Sequence, residues 1–476
     1  MTLADVLIFI AGGLVCALVV PKRLRGWALL IASIYAIYAL QPALDVRFLD
    51  FGLPTATLAL AVYGWLLTRA ESQPFSRADA AALVIAVGMA LLLTLPRYVT
   101  LPVNPTSRPP DAGVVLTGLA LAAGIGALIA LLASKRRGAA LTLGVIGVAA
   151  LFIIVKTEPL AVGLAGLLRA NVGQNPALAS SFDIGWLGFS YVAFRLIHTL
   201  RDRQSGLLPA LDLRTYLTYL IFFPAYTSGP IDRAERYAAD DARLPDLPRM
   251  DADRFVRAGT RIAVGLLKKF AIADTLAVFS LSADLVSQTD STGALWLMLY
   301  TYAFRLYFDF SGYTDIAIGI GMLYGVQLPE NFNNPYAKNH IAAFWQSWHM
   351  TLGAWARAYV YAPISKALVR RKAAPGAVSA VANGATMLLI GLWHGVSAPF
   401  AVWGLWHGVG LTAHYLWSDR TRKWQRRLKA TPRRARLWRW FGTALTFHFV
   451  LLGWVWFAIP DFETAARTFG GLFGLR

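Results

Sequence analysis

Long apolar runs recur along the whole chain and are separated by short polar or basic connections. Many of these runs approach the length of about 20 residues that an α-helix needs to cross a bilayer, so the pattern predicts an all-α, polytopic integral membrane protein with roughly 11–13 membrane helices. The predicted spans lie near residues 3–20, 26–41, 52–68, 79–95, 113–133, 139–155, 184–200, 257–283, 293–308, 312–327, 377–393, 399–417 and 441–459.

Some segments do not fit a simple span. Residues 213–228 are short and interrupted by proline, which predicts a re-entrant or interfacial segment. The first run, 3–20, is predicted to be a retained span rather than a signal peptide, because basic residues follow it instead of preceding it. We divide the chain into an N-terminal multi-span helical region (1–180), a core (181–460) and a C-terminal tail (461–476).

Composition supports the membrane class. Hydrophobic residues make up 57% of the chain and charged residues 15%, whereas a soluble domain carries about 25% charged residues. The net charge of +19 is typical of Lys- and Arg-rich cytoplasmic loops, so we predict no nucleic-acid partner. Cys16 is the single cysteine, which excludes an intrachain disulfide and a thiolate metal cluster.

Basic clusters indicate which connections face the cytoplasm. They follow the first, third, fifth and seventh spans, which places the N-terminus outside the cytoplasm. Residues 370–372 are also basic, and residues 418–439 hold ten basic residues against Asp419 alone, so both segments are predicted to be cytoplasmic. The turn "HGVSAP" (394–399) joins the two spans between them and must approach the outer face. His394 opens this turn.

An apolar stripe, mostly aromatic, precedes these spans on the predicted cytoplasmic side. Its members recur every three or four residues, which predicts one helix lying along the membrane interface, where Trp and Tyr are enriched. His349 falls on this helix, so His349 and His394 are predicted to approach the membrane core from opposite sides. The stripe consists of Trp345, Trp348, Leu352, Trp355 and Tyr359.

Histidine among apolar residues costs free energy unless it is paired or lines a cavity. Neutral imidazole accepts a proton near pH 7, and burial favours its neutral form. His394 lies between Trp393, which can pack a substrate, and Gly395, which leaves room for one. This arrangement suits a general base acting on a hydroxyl group. We interpret the remaining candidates as hydrogen-bonded packing residues: His198, His407, His414 and His448.

Other chemistries lack the residues that they need. Ser397 lies in "GVSAP", where a nucleophile elbow would require glycine in place of Pro399. The chain has no H-E-x-x-H motif, and the spacing of His407 and His414 does not suit ligands, so we expect no metal. It also lacks a P-loop and a dinucleotide-binding fingerprint.

Charged and amide side chains also occur inside or beside apolar runs. Arg305 and Asp309 are four residues apart, which predicts that they neutralise each other. Alternatively, Asp309 or Asp315 faces a polar, substrate-binding tunnel. In "PENFNNPY" (329–336) the asparagines either cap helices or line an entrance. The candidate substrate-binding residues are therefore Asp309, Asn331, Trp345, Trp348 and Trp393.

Four stretches together resemble the bacterial membrane-bound O-acyltransferase (MBOAT) family, and the resemblance covers roughly residues 184–417 in order. It implies that residues 181–460 are an acyltransferase core around a central tunnel. It also implies a catalytic role for His394, in a Trp-His-Gly motif, and a second functional role for His349, in a Trp-His motif. The stretches are "FDFSGYTDIAIGIGMLYG", "PENFNNPY", "FWQSWHMTLGAWARAYVYAPI" and "GLWHGVSAPFAVWGLWHG".

The resemblance further implies a location and a set of substrates. Members are multi-pass proteins of the inner (cytoplasmic) membrane, surrounded by membrane lipids, and they bind no cofactor. They transfer an acyl group from a cytoplasmic thioester, either acyl-CoA or a phosphopantetheinyl acyl carrier protein. The acceptor is a hydroxyl of an extracytoplasmic polysaccharide or teichoic-acid-like wall polymer, and a separate extracytoplasmic esterase-like protein often takes part.

The acyl group itself remains open between acetyl and D-alanyl. "SGPIDR" (228–233) favours the branch that transfers D-alanine to teichoic acid, whereas "FDFSGYTD" and "PENFNNPY" favour the branch that O-acetylates alginate. Two other functions also remain open from the residues themselves. One is a transporter or flippase for a cell-envelope precursor, and the other is a membrane scaffold that recruits a soluble transferase.

Overall fold

The computed structural model describes residues 2–99, 106, 109–249 and 251–475. These residues form helices and loops and contain no strand, which confirms the predicted all-α class. The first ten α-helices are α1 (Leu3–Leu18), α2 (Arg25–Ala39), α3 (Leu49–Thr68), α4 (Arg77–Leu92), α5 (Ala112–Lys156), α6 (Glu158–Asn171), α7 (Phe189–Gln204), α8 (Leu213–Ile221), α9 (Ala234–Arg243) and α10 (Ala252–Leu266).

The C-terminal part of the chain continues with eleven α-helices and two π-helical segments, Leu267–Ala273 and Arg357–Tyr361. The α-helices are α11 (Asp274–Ala277), α12 (Ala283–Val286), α13 (Thr292–Leu323), α14 (Ile341–Trp345), α15 (Met350–Ala356), α16 (Ala362–Arg370), α17 (Pro375–His394), α18 (Ala398–Arg420), α19 (Arg422–Lys429), α20 (Pro432–Ala458) and α21 (Phe462–Gly471).

Five of the described helices are long and apolar enough to cross a membrane, which agrees with a multi-pass membrane protein. The longest, α5, has 45 residues but breaks at Arg136, whose backbone is not helical (φ −145°, ψ 63°). The two predicted spans 113–133 and 139–155 are therefore separate segments on either side of this kink. The five helices are Leu49–Thr68, Arg77–Arg97, Ala112–Lys156, Pro375–His394 and Pro432–Ala458.

The predicted spans 293–308 and 312–327 are instead one continuous helix, α13, of 32 residues. The polar residues near position 310 do not form a connection, because their neighbours accommodate them within the helix. Asp309 pairs with Lys269, and Gly312 leaves room for the adjacent backbone. A Cβ atom at Gly312 would lie only 2.8 Å from the backbone nitrogen of Lys269.

The described chain forms two compact units, each built from separate segments of sequence. The first comprises Met1–Ile262 and Ala317–Pro329, and the second comprises Ala263–Ile316 and Glu330–Arg476. In the first unit α3 packs against α5, α7 and α8 around fully buried side chains such as Trp65. The predicted boundary between a multi-span region and a core at residue 180 stays a prediction.

The second unit contains an antiparallel hairpin of α17 and α18, which packs against α20. Only residues 395–397 separate the two hairpin helices. Close approach depends on Gly404, where a Cβ atom would lie 2.5 Å from the carbonyl oxygen of Met387 on the opposite helix. Small residues allow helix backbones to approach in this way in membrane proteins. The hairpin thereby fixes the position of His394, the last residue of α17.

Candidate active site

His394 lies where the helix ends and the chain turns, as its sequence position predicts. The backbone becomes extended at Gly395 (φ −175°, ψ 141°), and α18 starts three residues later. The imidazole is partly buried in a box of aromatic rings. The ring centroids lie 4.5 Å away for Trp393, 4.7 Å for Phe457, 5.4 Å for Trp403 and 6.0 Å for Phe400.

His349 occupies a break between two short helices, so the prediction of one continuous interfacial helix is wrong. α14 ends at Trp345 and α15 begins at Met350. Between them His349 has a left-handed backbone (φ 42°, ψ 55°), which is uncommon for a residue other than glycine. Such conformations persist only where the surroundings enforce them, and they cluster at functional sites.

The side chain of His349 is buried without any hydrogen bond. It is 3% exposed, and neither of its ring nitrogens has a hydrogen-bond partner among the described residues. Buried polar atoms in folded proteins are nearly always paired, so two unpaired nitrogens on one ring require an explanation. A substrate that hydrogen-bonds to this ring would supply one.

Burial also sets the protonation state of His349, which lies outside the five membrane-spanning helices. Removal of the ring from water lowers the pKa of His349 from 6.5 to about 3. The imidazole is therefore neutral at physiological pH, and one nitrogen is free to accept a proton or a hydrogen bond.

Asn331 holds the unusual backbone around His349 in place. Its carbonyl oxygen accepts a hydrogen bond from the Met350 amide (2.9 Å), and its side-chain Oδ1 accepts from the Thr351 hydroxyl (2.6 Å) and amide (3.2 Å). Asn331 is completely buried, and its Nδ2 has no partner among the described residues. The contacts observed are therefore structural, and the predicted contact with substrate stays a prediction.

Trp393 brings the two predicted catalytic histidines together. The centroid of its ring lies 4.5 Å from that of His394 and 6.2 Å from that of His349. On its other side His349 meets Phe310 at 4.8 Å. The two imidazoles thus belong to one aromatic cluster within the second unit.

A cavity of about 400 Å³ lies beside this cluster, a size that fits a small-molecule site. Its apolar wall includes Ile390, one helical turn before His394 on α17. Arg357 is the lining residue that carries a charge at neutral pH. It belongs to a π-helical segment, and such segments often accompany functional sites. The other polar lining residues are Gln346, Tyr361, Ser379, Asn383, Thr386, His414, Tyr415 and Ser418.

Trp345 lines the cavity, whereas Trp348 packs between Phe332 and Trp454, and a contact of either residue with substrate stays a prediction. The Trp345 indole donates a hydrogen bond of 3.4 Å to Nδ1 of His407. His407 is fully buried, which agrees with the packing role predicted for it.

Asp309 does not pair with Arg305, so the predicted mutual neutralisation is wrong. The Lys269 ammonium lies 2.5 Å from Asp309, and Arg305 donates to the Ser280 hydroxyl instead. An i,i+4 spacing permits an ion pair on one helix, but Asp309 pairs instead with a lysine that a neighbouring segment places closer to it. Asp315 pairs with Lys268 in the same way (2.6 Å). A contact between Asp309 and substrate stays a prediction.

One cluster of possible metal ligands occurs among the described residues, in the first unit. It contains His198, Asp202 and Glu235, whose ligand atoms lie within 4.8 Å of one another. Arg233 forms ion pairs with both carboxylates, and the Ala234 amide donates to Nε2 of His198. These partners already engage the possible ligand atoms, so we assign no metal to the cluster, and the expectation of a metal-free site stays a prediction.

The sequence did not reveal several members of the aromatic cluster. Phe310 and Trp403 lie in motifs that were singled out for other residues, and Phe457 lies in α20, far from them in sequence. Their hydrophobic pattern fits any buried helix, so periodicity alone could not assign them to the histidines.

Together the fold and the site define a multi-pass helical membrane protein with two imidazoles in an aromatic cluster beside a polar cavity. The sequence model of the MBOAT, membrane-bound O-acyltransferase, family matches residues 145–452, which include both histidines. The chain belongs to this family and is an O-acyltransferase. This membership sets aside the transporter, flippase and scaffold alternatives.

Curated relatives come from several branches of the family. The teichoic acid D-alanyltransferase of Bacillus subtilis (strain 168) is 32% identical over 287 residues, which cover 59% of this chain and 70% of the relative. The probable alginate O-acetylase AlgI of Pseudomonas fluorescens is 36% identical over 290 residues, which cover 60% of this chain and 54% of the relative.

The peptidoglycan O-acetyltransferase of Helicobacter pylori (strain ATCC 700392 / 26695) is 32% identical over 266 residues, which cover 55% of this chain and 47% of the relative. The matched regions therefore span about half the length of the two O-acetylating relatives.

Proposed function

We propose that the chain transfers an acyl group from a thioester donor to a hydroxyl of a cell-envelope polymer, with His394 as the general base. The observation that carries this proposal is the pair of imidazoles around Trp393, one of them buried with two unpaired nitrogens. The named relatives act on teichoic acid, alginate or peptidoglycan, which supports a polysaccharide or wall-polymer acceptor.

In the proposed reaction His394 removes the proton of the acceptor hydroxyl. The hydroxyl oxygen attacks the thioester carbonyl, a C–O bond forms and the C–S bond breaks. The proton then passes from the imidazole to the departing thiolate. General-base assistance of this kind contributes about 10²–10⁴-fold to a rate. His349, neutral because it is buried, donates or accepts a hydrogen bond that orients the reacting groups.

The cavity beside the cluster is the proposed donor site. It is lined by residues 379–390 of α17 and by the C-terminal half of α18, and the basic segments next to these helices are expected in the cytoplasm. A donor in this cavity, either acyl-CoA or a carrier-bound phosphopantetheine, would reach Ile390, one turn from His394. Arg357 and the amides of Gln346 and Asn383 would bind its polar groups.

The acyl group, acetyl or D-alanyl, is left open in this proposal. A location in the inner membrane follows from the proposed cytoplasmic donor and exported acceptor. An extracytoplasmic esterase-like partner, of the kind expected for such systems, would complete transfer along the polymer.

The proposal is tested by measuring acyl esters released by mild alkali from the cell envelope. Cells that lack the gene are complemented with wild type, His394→Ala, His349→Ala or His448→Ala. His448 is a matched control, because both of its ring nitrogens are paired, with Tyr300 and the Ala444 carbonyl. We expect wild type and His448→Ala to restore the esters and the other two variants to fail. Restored esters in His394→Ala would refute the proposal.

A further inference from the structure

The segment from Asp419 to Arg439 concentrates positive charge on an exposed surface. This segment, called the basic segment below, consists of the C-terminal end of α18, α19 and the first two turns of α20, and contains ten basic residues. Among its described side chains Arg422 alone forms an ion pair, with Asp419 at 2.7 Å. Apart from Arg422, the described cations of the basic segment therefore have no acidic partner among the described residues.

Apolar side chains are exposed beside these cations. Leu437 is 62% exposed and Trp440 71% exposed in the first turns of α20. Trp424 packs on Trp438, with ring centroids 4.9 Å apart, but remains 42% exposed. Exposed indoles and leucines next to a cluster of arginines are typical of a surface that lies at the level of lipid headgroups.

The position of α20 determines which anionic partner fits. α20 is long and apolar enough to cross the membrane, so the basic residues of its first two turns stay at the bilayer surface. Lipid headgroups are always present there, and exposed Trp440 and Leu437 suit acyl chains better than a polar protein surface. A soluble acidic protein would have to displace these lipids.

We propose that the basic segment binds anionic phospholipid headgroups, while Trp440 and Leu437 insert beside them. Each Lys or Arg close to an anionic leaflet strengthens attraction about fivefold, so several neighbouring arginines give a marked preference for anionic over zwitterionic lipid. This binding is independent of acyl transfer and would fix the depth of α18 and α20 relative to the membrane surface.

The test uses the full-length protein reconstituted with phosphatidylcholine and about 30% phosphatidylglycerol, a proportion that gives a strongly anionic surface. After extraction in mild detergent, native mass spectrometry measures the ratio of the two lipids retained on the protein. The variant is Arg426→Gln/Arg427→Gln/Arg433→Gln/Arg434→Gln. The matched control carries lysine at the same four positions and keeps the charge.

We expect wild type and the lysine control to retain phosphatidylglycerol and phosphatidylcholine in a ratio about tenfold or more above their ratio in the bilayer, and the glutamine variant to lose most of this enrichment. Added salt should reduce the enrichment of wild type. Equal enrichment in the glutamine variant would overturn the proposal. Loss in the lysine control would also overturn it, because headgroup attraction depends on charge.

A third result would also overturn the proposal. If the glutamine variant retained the two lipids in an unchanged ratio but used a carrier-protein donor less well, the basic segment would be assigned to a soluble acidic partner. Should the fourfold variant unfold in detergent, Arg433→Gln/Arg434→Gln serves in its place, with half of the charge change and the same direction of effect.

Discussion

At the scale of single residues, His349 combines two unfavourable features. A left-handed backbone costs about 1–2 kcal/mol in a residue with a Cβ atom, and each buried polar atom without a partner costs about 1–3 kcal/mol. A packing histidine would have no reason to keep both. A residue that receives a substrate has a reason to keep them, because its unpaired nitrogens are then available for hydrogen bonds to that substrate.

Protonation of His349 should make the protein sensitive to acid. Its pKa lies near 3 in the folded protein and near 6.5 when unfolded, so the unfolded chain binds more protons as the pH falls below 6.5. This difference lowers the free energy of unfolding by about 1.5 kcal/mol between about pH 6.5 and pH 5. Thermal unfolding in detergent at several pH values measures it.

The control for acid sensitivity is His349→Gln, which cannot be protonated in this range. Its unfolding temperature should decline less steeply towards pH 5 than that of wild type. Parallel declines in the two proteins would contradict the assignment of a buried neutral imidazole.

Asn331 should matter for both stability and turnover. Asn331→Ala removes the acceptor of the Thr351 amide and hydroxyl, which should cost about 1–3 kcal/mol of stability and let the turn at His349 relax. Thr351→Val removes only the hydroxyl donor and should have a smaller effect on both quantities. Thermal unfolding and the rate of ester formation check this order, and a larger effect of Thr351→Val would contradict it.

At the scale of elements, the site depends on helices that end abruptly. The aromatic spacing from Trp345 to Tyr359 predicts one helix, yet the chain breaks at His349. No local signal announces that break, because the contacts that enforce it come from Asn331, 18 residues earlier. The turn at His394 was easier to predict, because Gly395 and Pro399 are ordinary signals for the end of one helix and the start of the next.

The hairpin of α17 and α18 should tolerate a new methyl group at one glycine but not at another. Gly404→Ala places a Cβ atom 2.5 Å from the Met387 carbonyl, which should cost about 1–3 kcal/mol and displace His394. Gly384→Ala, in the same hairpin, meets nothing within 4 Å and should be neutral or stabilise by up to about 1 kcal/mol. Similar unfolding temperatures for the two variants would contradict the close approach.

The cavity should respond to a bulky residue at its wall. Ser418→Trp would fill part of the cavity and raise the KM for the thioester donor about tenfold, a loss of about 1.4 kcal/mol in binding. Ala413→Trp adds the same side chain to an exposed position of α18 and should leave KM unchanged. Steady-state kinetics at varied donor concentration distinguish the two, and an unchanged KM in Ser418→Trp would remove the cavity from the donor path.

At the scale of the whole molecule, the apolar runs predicted the class of protein correctly. They did not predict how runs combine into helices: α13 contains two predicted spans, because the charge of Asp309 is neutralised by Lys269 from another segment. The histidine motifs located the two imidazoles and Trp393 between them, whereas other rings of the cluster, such as Phe310 and Phe457, come from segments far apart in sequence. Long-range packing of this kind is invisible to local patterns.

The central claim is that His394 and His349 act as one catalytic unit around Trp393. The most direct measurement is the rate of acyl transfer in proteoliposomes for wild type, each single alanine variant and the double variant, using the donor and acceptor that the envelope analysis identifies. Residues that act as a unit give non-additive losses. The account predicts that His394→Ala lowers the rate about 10²–10⁴-fold and that the double variant is hardly slower. Full activity in His394→Ala, or losses that multiply in the double variant, would contradict it.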